Sequence, residues 1–284
     1  MRSLCLTIAA GLIAAAPALA DPVDDDLVVE GDDGPVQITT SAPAPDFLSD
    51  RMGTIYSGWL YREDETRDLQ RDDFDNPGLL FAERGRDRWN AEMGTNGESC
   101  ASCHEDPDSL TGLKAQLPRV DAQTGKLMIL EDYVNACVTE RMGLEPWGMT
   151  GNEMKDMLAL ISLQSRGMPV NVAIDGPAAP FWEQGQEMYY TRFGQLEMAC
   201  ANCHEDNQGL MIRADHLSQG QVNGFPTYRL KDAGLVTAQQ RFVGCVRDTR
   251  AETFRPGSDE FKALELYVTS RGNGLSVEGV SVRH

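Results

Sequence analysis

The chain has 284 residues, 25 of them Lys or Arg against 44 Asp or Glu, and a formal net charge of −19. So acidic a balance excludes a nucleic-acid-binding role and favours basic protein partners. The length fits one large domain or two of ordinary size, and beyond the N-terminal leader no stretch is long and apolar enough for a membrane span.

In chain order, the N-terminus reads as a secretory signal. Arg2 supplies the positive region, Leu4 to Ala16 the apolar stretch, and Ala18-Leu19-Ala20 a small-x-small cleavage site before Asp21. Cys5 lies at the start of the apolar run rather than at the cleavage point, which argues against a lipoprotein anchor. The mature protein is therefore expected outside the cytoplasm. Residues 21–33, "DPVDDDLVVEGDD", are expected to form a solvated, partly disordered acidic tail. Residues 46–75 are expected to be an extension packed on the first of two units, so that 21–75 precede the folded repeat.

An internal repeat organises the rest of the chain. "NPGLLFAERGRDRWNAEMGTNGESCASCHED" (76–106) lies over "GPAAPFWEQGQEMYYTRFGQLEMACANCHED" (176–206), pairing Phe81 with Phe181, Glu83 with Glu183, Gly85 with Gly185, Trp89 with Tyr189 and Gly94 with Gly194. After a short insertion Pro118 meets Pro226 and Cys137 meets Cys245. Each unit closes on an amphipathic helical pattern ending Ser-Arg-Gly, at 153–167 and 259–272. The fold class expected is mostly α: two repeated c-type cytochrome domains, 76–172 and 173–284, behind an N-terminal extension. "MPVNVAIDGPAAP" (168–180), with Pro and Gly and no helical period, reads as the linker.

"CASCH" and "CANCH" are c-type haem attachment signals. Two cysteines form thioethers to the porphyrin, and the adjacent histidine becomes a proximal iron ligand. The expected sets are Cys100, Cys103 and His104 for one haem and Cys200, Cys203 and His204 for the other. A zinc site would need further Cys or His ligands at matching spacing, and a redox CxxC would not need the histidine. For the sixth ligand, Met142 and Met149 follow the first motif and His216 the second. Cys137 and Cys245, at matching repeat positions, leave three readings open. They form a disulfide, as exported thiols usually do; they are buried and inert; or each ligates its iron. Equivalent positions in two units need not meet in space, so ligation is preferred, and thiolate donation would lower both haem potentials.

"AQQRFVGCVRDTR" (238–250) separates the two sites. Arg241 stands four residues before Cys245 and Arg247 two after it, where the first unit has Tyr133 and Thr139. On a helix Arg241 would share a face with Cys245. Guanidinium groups there would depress the thiol pKa and hold a small oxyanion, or else pair with haem propionates. The second unit is accordingly the expected seat of chemistry, with Cys245, Arg241 and Arg247 as its candidate catalytic residues.

With "SGWLYRED", "LQRDDFDNPG", "SQGQVNGFPTYRL" (218–230) and "RFVGC" added to the two CxxCH units, essentially the whole mature chain is similar to the SoxA family, the diheme cytochrome subunit of the periplasmic sulfur-oxidising (Sox) system. The resemblance implies a periplasmic L-cysteine S-thiosulfotransferase with two covalent c-type haems. It implies a heterodimer with the small monohaem cytochrome SoxX. Thiosulfate would be conjugated to a cysteine of the carrier SoxYZ, and electrons would leave to a downstream cytochrome c. By the same resemblance Cys245 is the active, iron-ligating cysteine, Arg241 the substrate arginine and Cys137 the distal ligand of the first haem. The competing classes are a periplasmic diheme electron carrier without substrate, a diheme cytochrome c peroxidase, and a structural role resting on a disulfide.

Overall fold

A computed structural model describes residues 22–284 except 24, 32, 33 and 214. The secretory signal at 1–20, with Cys5 and the cleavage site before Asp21, lies outside the described residues. The chain opens with two antiparallel pairs, β1 (Leu27–Val29) with β2 (Val36–Ile38) and β3 (Ser41–Pro43) with β4 (Thr54–Tyr56). Next come α1 (Asp64–Asp68), α2 (Leu79–Asn90), α3 (Ala101–His104), the pair β5 (Arg119–Val120) and β6 (Leu127–Met128), α4 (Leu130–Glu140) and α5 (Asn152–Leu163). The last part holds α6 (Ala179–Tyr190), α7 (Cys200–His204), the hairpin β7 (Met211–Ile212) and β8 (Asp215–His216), β9 (Thr227–Arg229), β10 (Gly234–Val236), α8 (Ala238–Asp248), α9 (Asp259–Ser270) and β11 (Ser281–Arg283). β9 is the central strand of its sheet, antiparallel to β10 and parallel to β11.

Two close helix crossings set the frame. A Cβ on Gly85 of α2 would stand 2.3 Å from the carbonyl oxygen of Asp156 on α5, and one on Gly185 of α6 would stand 2.1 Å from that of Ala263 on α9. Only a residue without a side chain lets the backbones approach so closely. Trp89 and Tyr189, one turn further along α2 and α6, are fully buried beside the crossings. Each crossing helix contributes large apolar side chains to its core, Met157 and Ile161 from α5 and Phe261 and Leu264 from α9. Burial of one such side chain stabilises by about 1.5–3 kcal/mol.

The N-terminal segment departs from expectation. Its described residues are not a solvated tail. Leu27 and Val29, 0% and 2% exposed, turn inward with Ile38 against Trp59 and Leu60, and Asp25 accepts bonds from Arg67 and Arg71 at 2.6 Å. The density of carboxylates hid a strand-like alternation in "LVV". Residues 46–75 do not pack simply on the first unit either. Phe47 stacks edge-on against Trp182 at 5.1 Å, and Gln70 donates to buried Glu278 at 2.8 Å, both in the second unit. Asp73 reaches back to the first through a two-pronged pair with Arg166 at 2.6 and 2.9 Å. The linker is also tied down, with Val170 bonded by its backbone to Leu275 and Gly274.

Where α4 meets α9, Asp132 pairs with Lys262 at 2.8 Å. Beside it two further carboxylates, Glu131 and Glu265, are 4% and 3% exposed. Burial, then the facing Glu265, pushes Glu131 up to about 8. Burial raises Glu265 as well, while Lys114 opposes the rise in both. A carboxyl whose folded pKa exceeds its unfolded value stabilises the fold at low pH, and that contribution is lost as pH rises through the folded pKa. Resistance to denaturant should therefore fall between about pH 5 and pH 8, and Glu131→Gln should flatten that fall by about 1 kcal/mol or more. Parallel pH profiles of the unfolding midpoint for the two proteins would contradict this.

Candidate active site

The second cleft is built around His204. A carbonyl can only accept, so the 2.8 Å contact to the Ser218 oxygen requires the proton on His204 Nδ1 and leaves the Nε2 lone pair free. Gly220, with φ +77°, makes room for the ring, since a Cβ there would lie 2.7 Å from His204 Cγ. Burial, the largest effect, pulls the imidazole down to about 4, so it is neutral at ordinary pH. Across the same cleft lie Cys200 and Cys245. Burial, then the facing Cys245, pushes the Cys200 thiol up to about 12.

Cys245 and Arg241 sit one turn apart on α8, and both line this cleft. Thr237 caps the helix, its hydroxyl accepting from the Gln240 amide at 3.2 Å. Buried Phe242 and Val246, which also line the cleft, fasten the helix to the core formed with α9. The Arg241 guanidinium makes no hydrogen bond or ion pair among the described residues. Three further arginines line the cleft from distant segments: Arg62, Arg229 of β9 and Arg283 of β11. Burial first, then Arg283, Arg229 and Arg241, bring Arg62 down to about 10. Arg62 is paired to Asp215, also in the lining.

The first cleft, about 580 Å³, has Cys100, Cys103, His104 and Cys137 in its lining beside Leu113, Leu130 and Val134. Burial, then the facing Cys137, pushes Cys100 up to about 11. Tyr133 stands where the second unit has Arg241, and Arg119 donates to its hydroxyl at 3.1 Å. The ring of His104 lies 5.8 Å from that of Trp89 and, among the described residues, has no hydrogen bond like that of His204 to Ser218.

Cys137 and Cys245 therefore face different clefts, and neither forms a disulfide. The structural reading through a disulfide is overturned. Met142 lines the first cleft together with Cys137. Met149 instead packs against Gly257, and its sulfur accepts from Asn135 at 3.7 Å. His216 turns towards Glu63, 3.9 Å away, and does not line the second cleft. Arg247 is exposed and is not brought to the site with Arg241. Two residues of helix rotate a side chain about 200°, so it points away from the face that carries Cys245. Sequence reasoning misses Arg62, Arg229, Arg283, Asp215, Ser218 and Gly220. Ser218, Gly220 and Arg229 all belong to "SQGQVNGFPTYRL", a segment whose spacing discloses no role.

An apolar cleft edged by a CxxCH helix, with a neutral histidine pinned through Nδ1, fits a covalently held porphyrin and leaves an imidazole nitrogen for its iron. The protein is a c-type cytochrome of mostly helical fold that binds haem c covalently. A model of the SoxA/TsdA cytochrome c domain matches residues 84–170 and 184–277. The L-cysteine S-thiosulfotransferase subunit SoxA of Paracoccus pantotrophus is 74% identical over 276 residues, covering 97% of this chain and 95% of the relative. The subunit of the same name from Rhodovulum sulfidophilum is 52% identical, with 98% and 96% covered. A chain in the crystal structure of SoxXA from P. pantotrophus superposes with a TM-score of 0.92 at 75% identity, covering 93% of this chain and all of its own. The chain belongs to the SoxA family.

Gly220→Ala should force His204 off the Ser218 carbonyl. In the haem-loaded protein one low-spin iron signal should be altered while the other persists. Spectra identical to wild type would contradict the cradle.

Proposed function

We propose that this chain is the catalytic subunit of a periplasmic L-cysteine S-thiosulfotransferase, exported by its N-terminal signal. In this reading it carries two haems on repeated cytochrome units, 76–172 and 173–284. It pairs with SoxX and conjugates thiosulfate to a cysteine of SoxYZ. The observation that carries the reading is the unpaired Arg241 one helical turn from Cys245, both facing the cleft that contains His204. Two-part family matching, the two glycine crossings and the two CxxCH clefts support the repeat. Among the described residues no helix is long and apolar enough to cross a membrane.

His104 and His204 would be proximal ligands, Cys137 and Cys245 distal ones, and the four remaining motif cysteines the thioether anchors. When bound, the haems supply one-electron acceptors that pass electrons on to cytochrome c. Joining thiosulfate to a thiol forms one sulfur–sulfur bond and releases a proton and two electrons. The chain's own residues bring the dianion in and hold it. Arg241 offers a guanidinium not already neutralised, and inside a low-dielectric cleft a charge-assisted fork is stronger than in water. Cys245 presents its sulfur beside that fork, positioned to bond the sulfane end of thiosulfate, the proton and two electrons leaving at that step, and then to exchange the intact thiosulfate group onto the carrier thiol, which returns the Cys245 thiol. His204 is held as a neutral ligand by Ser218, so it does not compete as a cation for the substrate.

Arg241→Ala should lower thiosulfate conjugation by at least about tenfold, as loss of a charge-assisted contact implies. Haem content should be unchanged. Cys245→Met should abolish conjugation yet leave electron transfer with small redox partners. Retained conjugation by Cys245→Met would favour a carrier without substrate.

A further inference from the structure

Four guanidinium groups line the second cleft, and their bonding separates them. Arg62 is committed at every nitrogen. Nη1 pairs with Asp215, Nη2 donates to the His216 carbonyl at 2.6 Å, and Nε donates to that of Gly58 at 3.3 Å. Arg283 is pinned by Glu278, whose side chain is 0% exposed, at 2.6 Å, and by Gln70 at 2.7 Å. Arg241 is unpartnered among the described residues. Arg229 lies between these extremes. Its Nη1 reaches Asp232 at 3.0 Å and its Nε the His284 carbonyl at 3.3 Å, while Nη2 has no partner among the described residues.

The Asp232 pair is a weak competitor. The two residues are three apart in sequence, and the Asp232 side chain is 46% exposed. Pairs of that kind contribute about 0–1 kcal/mol. The strand beneath Arg229 is rigid, since β9 is hydrogen-bonded on both sides. Burial first, then the Arg241 guanidinium, lowers the Arg229 pKa, and Asp232, then the Cys245 thiol, counter that fall. Arg229, Arg241 and Cys245 thus lie within electrostatic reach of one another. Two guanidiniums facing one cleft repel, and a dianion between them turns the repulsion into attraction.

We infer that Arg229 is the second guanidinium of the thiosulfate site, reaching the anion from β9 opposite Arg241, with Asp232 as the side chain the anion displaces. This rests on the thiosulfotransferase reading above. Arg229 fills the role that spacing along the chain suggests for Arg247, which α8 turns away. It binds substrate and takes no part in proton or electron transfer.

The test uses the haem-loaded heterodimer, titrated with thiosulfate and assayed for conjugation to the carrier protein, with sulfate as control anion. Arg229→Gln should raise the thiosulfate Kd and KM roughly tenfold or more, with haem content and both reduction potentials as in wild type. Arg229→Lys should restore part of that affinity. Asp232→Asn should tighten thiosulfate by roughly twofold to fivefold, the effect of removing a surface pair; a merely structural Arg229 would not produce this gain. Unchanged Kd and KM in Arg229→Gln would overturn the inference. So would a shifted haem potential or lowered haem content without loss of thiosulfate affinity, which would make Arg229 a propionate partner. A wild-type heterodimer that conjugates no thiosulfate would instead refute the functional reading on which the inference rests.

Discussion

One turn of helix sets the geometry on which the proposed chemistry depends. Residues four apart on α8 share a face, so Cys245 places Arg241 beside it and turns Arg247 to solvent. The helix is held at its N-terminal end. Thr237 caps its start, and Gln239 ties it to Gly257 at 2.8 Å and to Glu265 at 2.6 Å. Phe242 and Val246 lock its inner face against α9. A helix fastened in this way cannot rotate to exchange one arginine for another without exposing two buried apolar side chains, at about 1.5–3 kcal/mol each.

The glycine crossings place the two CxxCH segments. Gly185 lets α6 settle onto α9, which fixes where α7 emerges and therefore where His204 points. Gly85 does the same for α2, α5 and the first motif. The shared frame yields unequal sites. His204 has a carbonyl partner and a glycine-shaped niche, with four arginines lining the cleft around it. The first cleft is lined by two arginines, Arg119 and Arg141, and has Tyr133, bonded to Arg119, at the position that Arg241 takes in the second. The arginine-lined cleft around His204 suits the anionic substrate of the proposed reaction.

Whatever depends on short-range spacing is legible in the sequence. The CxxCH motifs and the Arg241–Cys245 step lie within a turn or so of helix, where periodicity dictates geometry, and the paired glycines are read from the internal repeat. Arg62, Arg229 and Arg283 are invisible there, because only the path of the chain brings an N-terminal extension, a central strand and the C-terminal strand to one cleft. Leu27 and Val29 are masked by the carboxylates around them, whose net charge outweighs a short alternation. The extension misleads for a different reason: Phe47 and Gln70 find Trp182 and Glu278 across most of the sequence, not in the unit next to them. Arg247 shows the reverse error, in which nearness along the chain stands in for nearness in space.

What this account requires is that Cys245, rather than His216 or a methionine, completes the coordination of the C-terminal haem. Low-temperature electron paramagnetic resonance of the oxidised, haem-loaded protein, recorded with and without Cys245→Ala, tests that directly. The account predicts a low-spin signal of sulfur-anion coordination that disappears in the variant. A thioether or bis-imidazole signal at that haem, unchanged by the substitution, would contradict it.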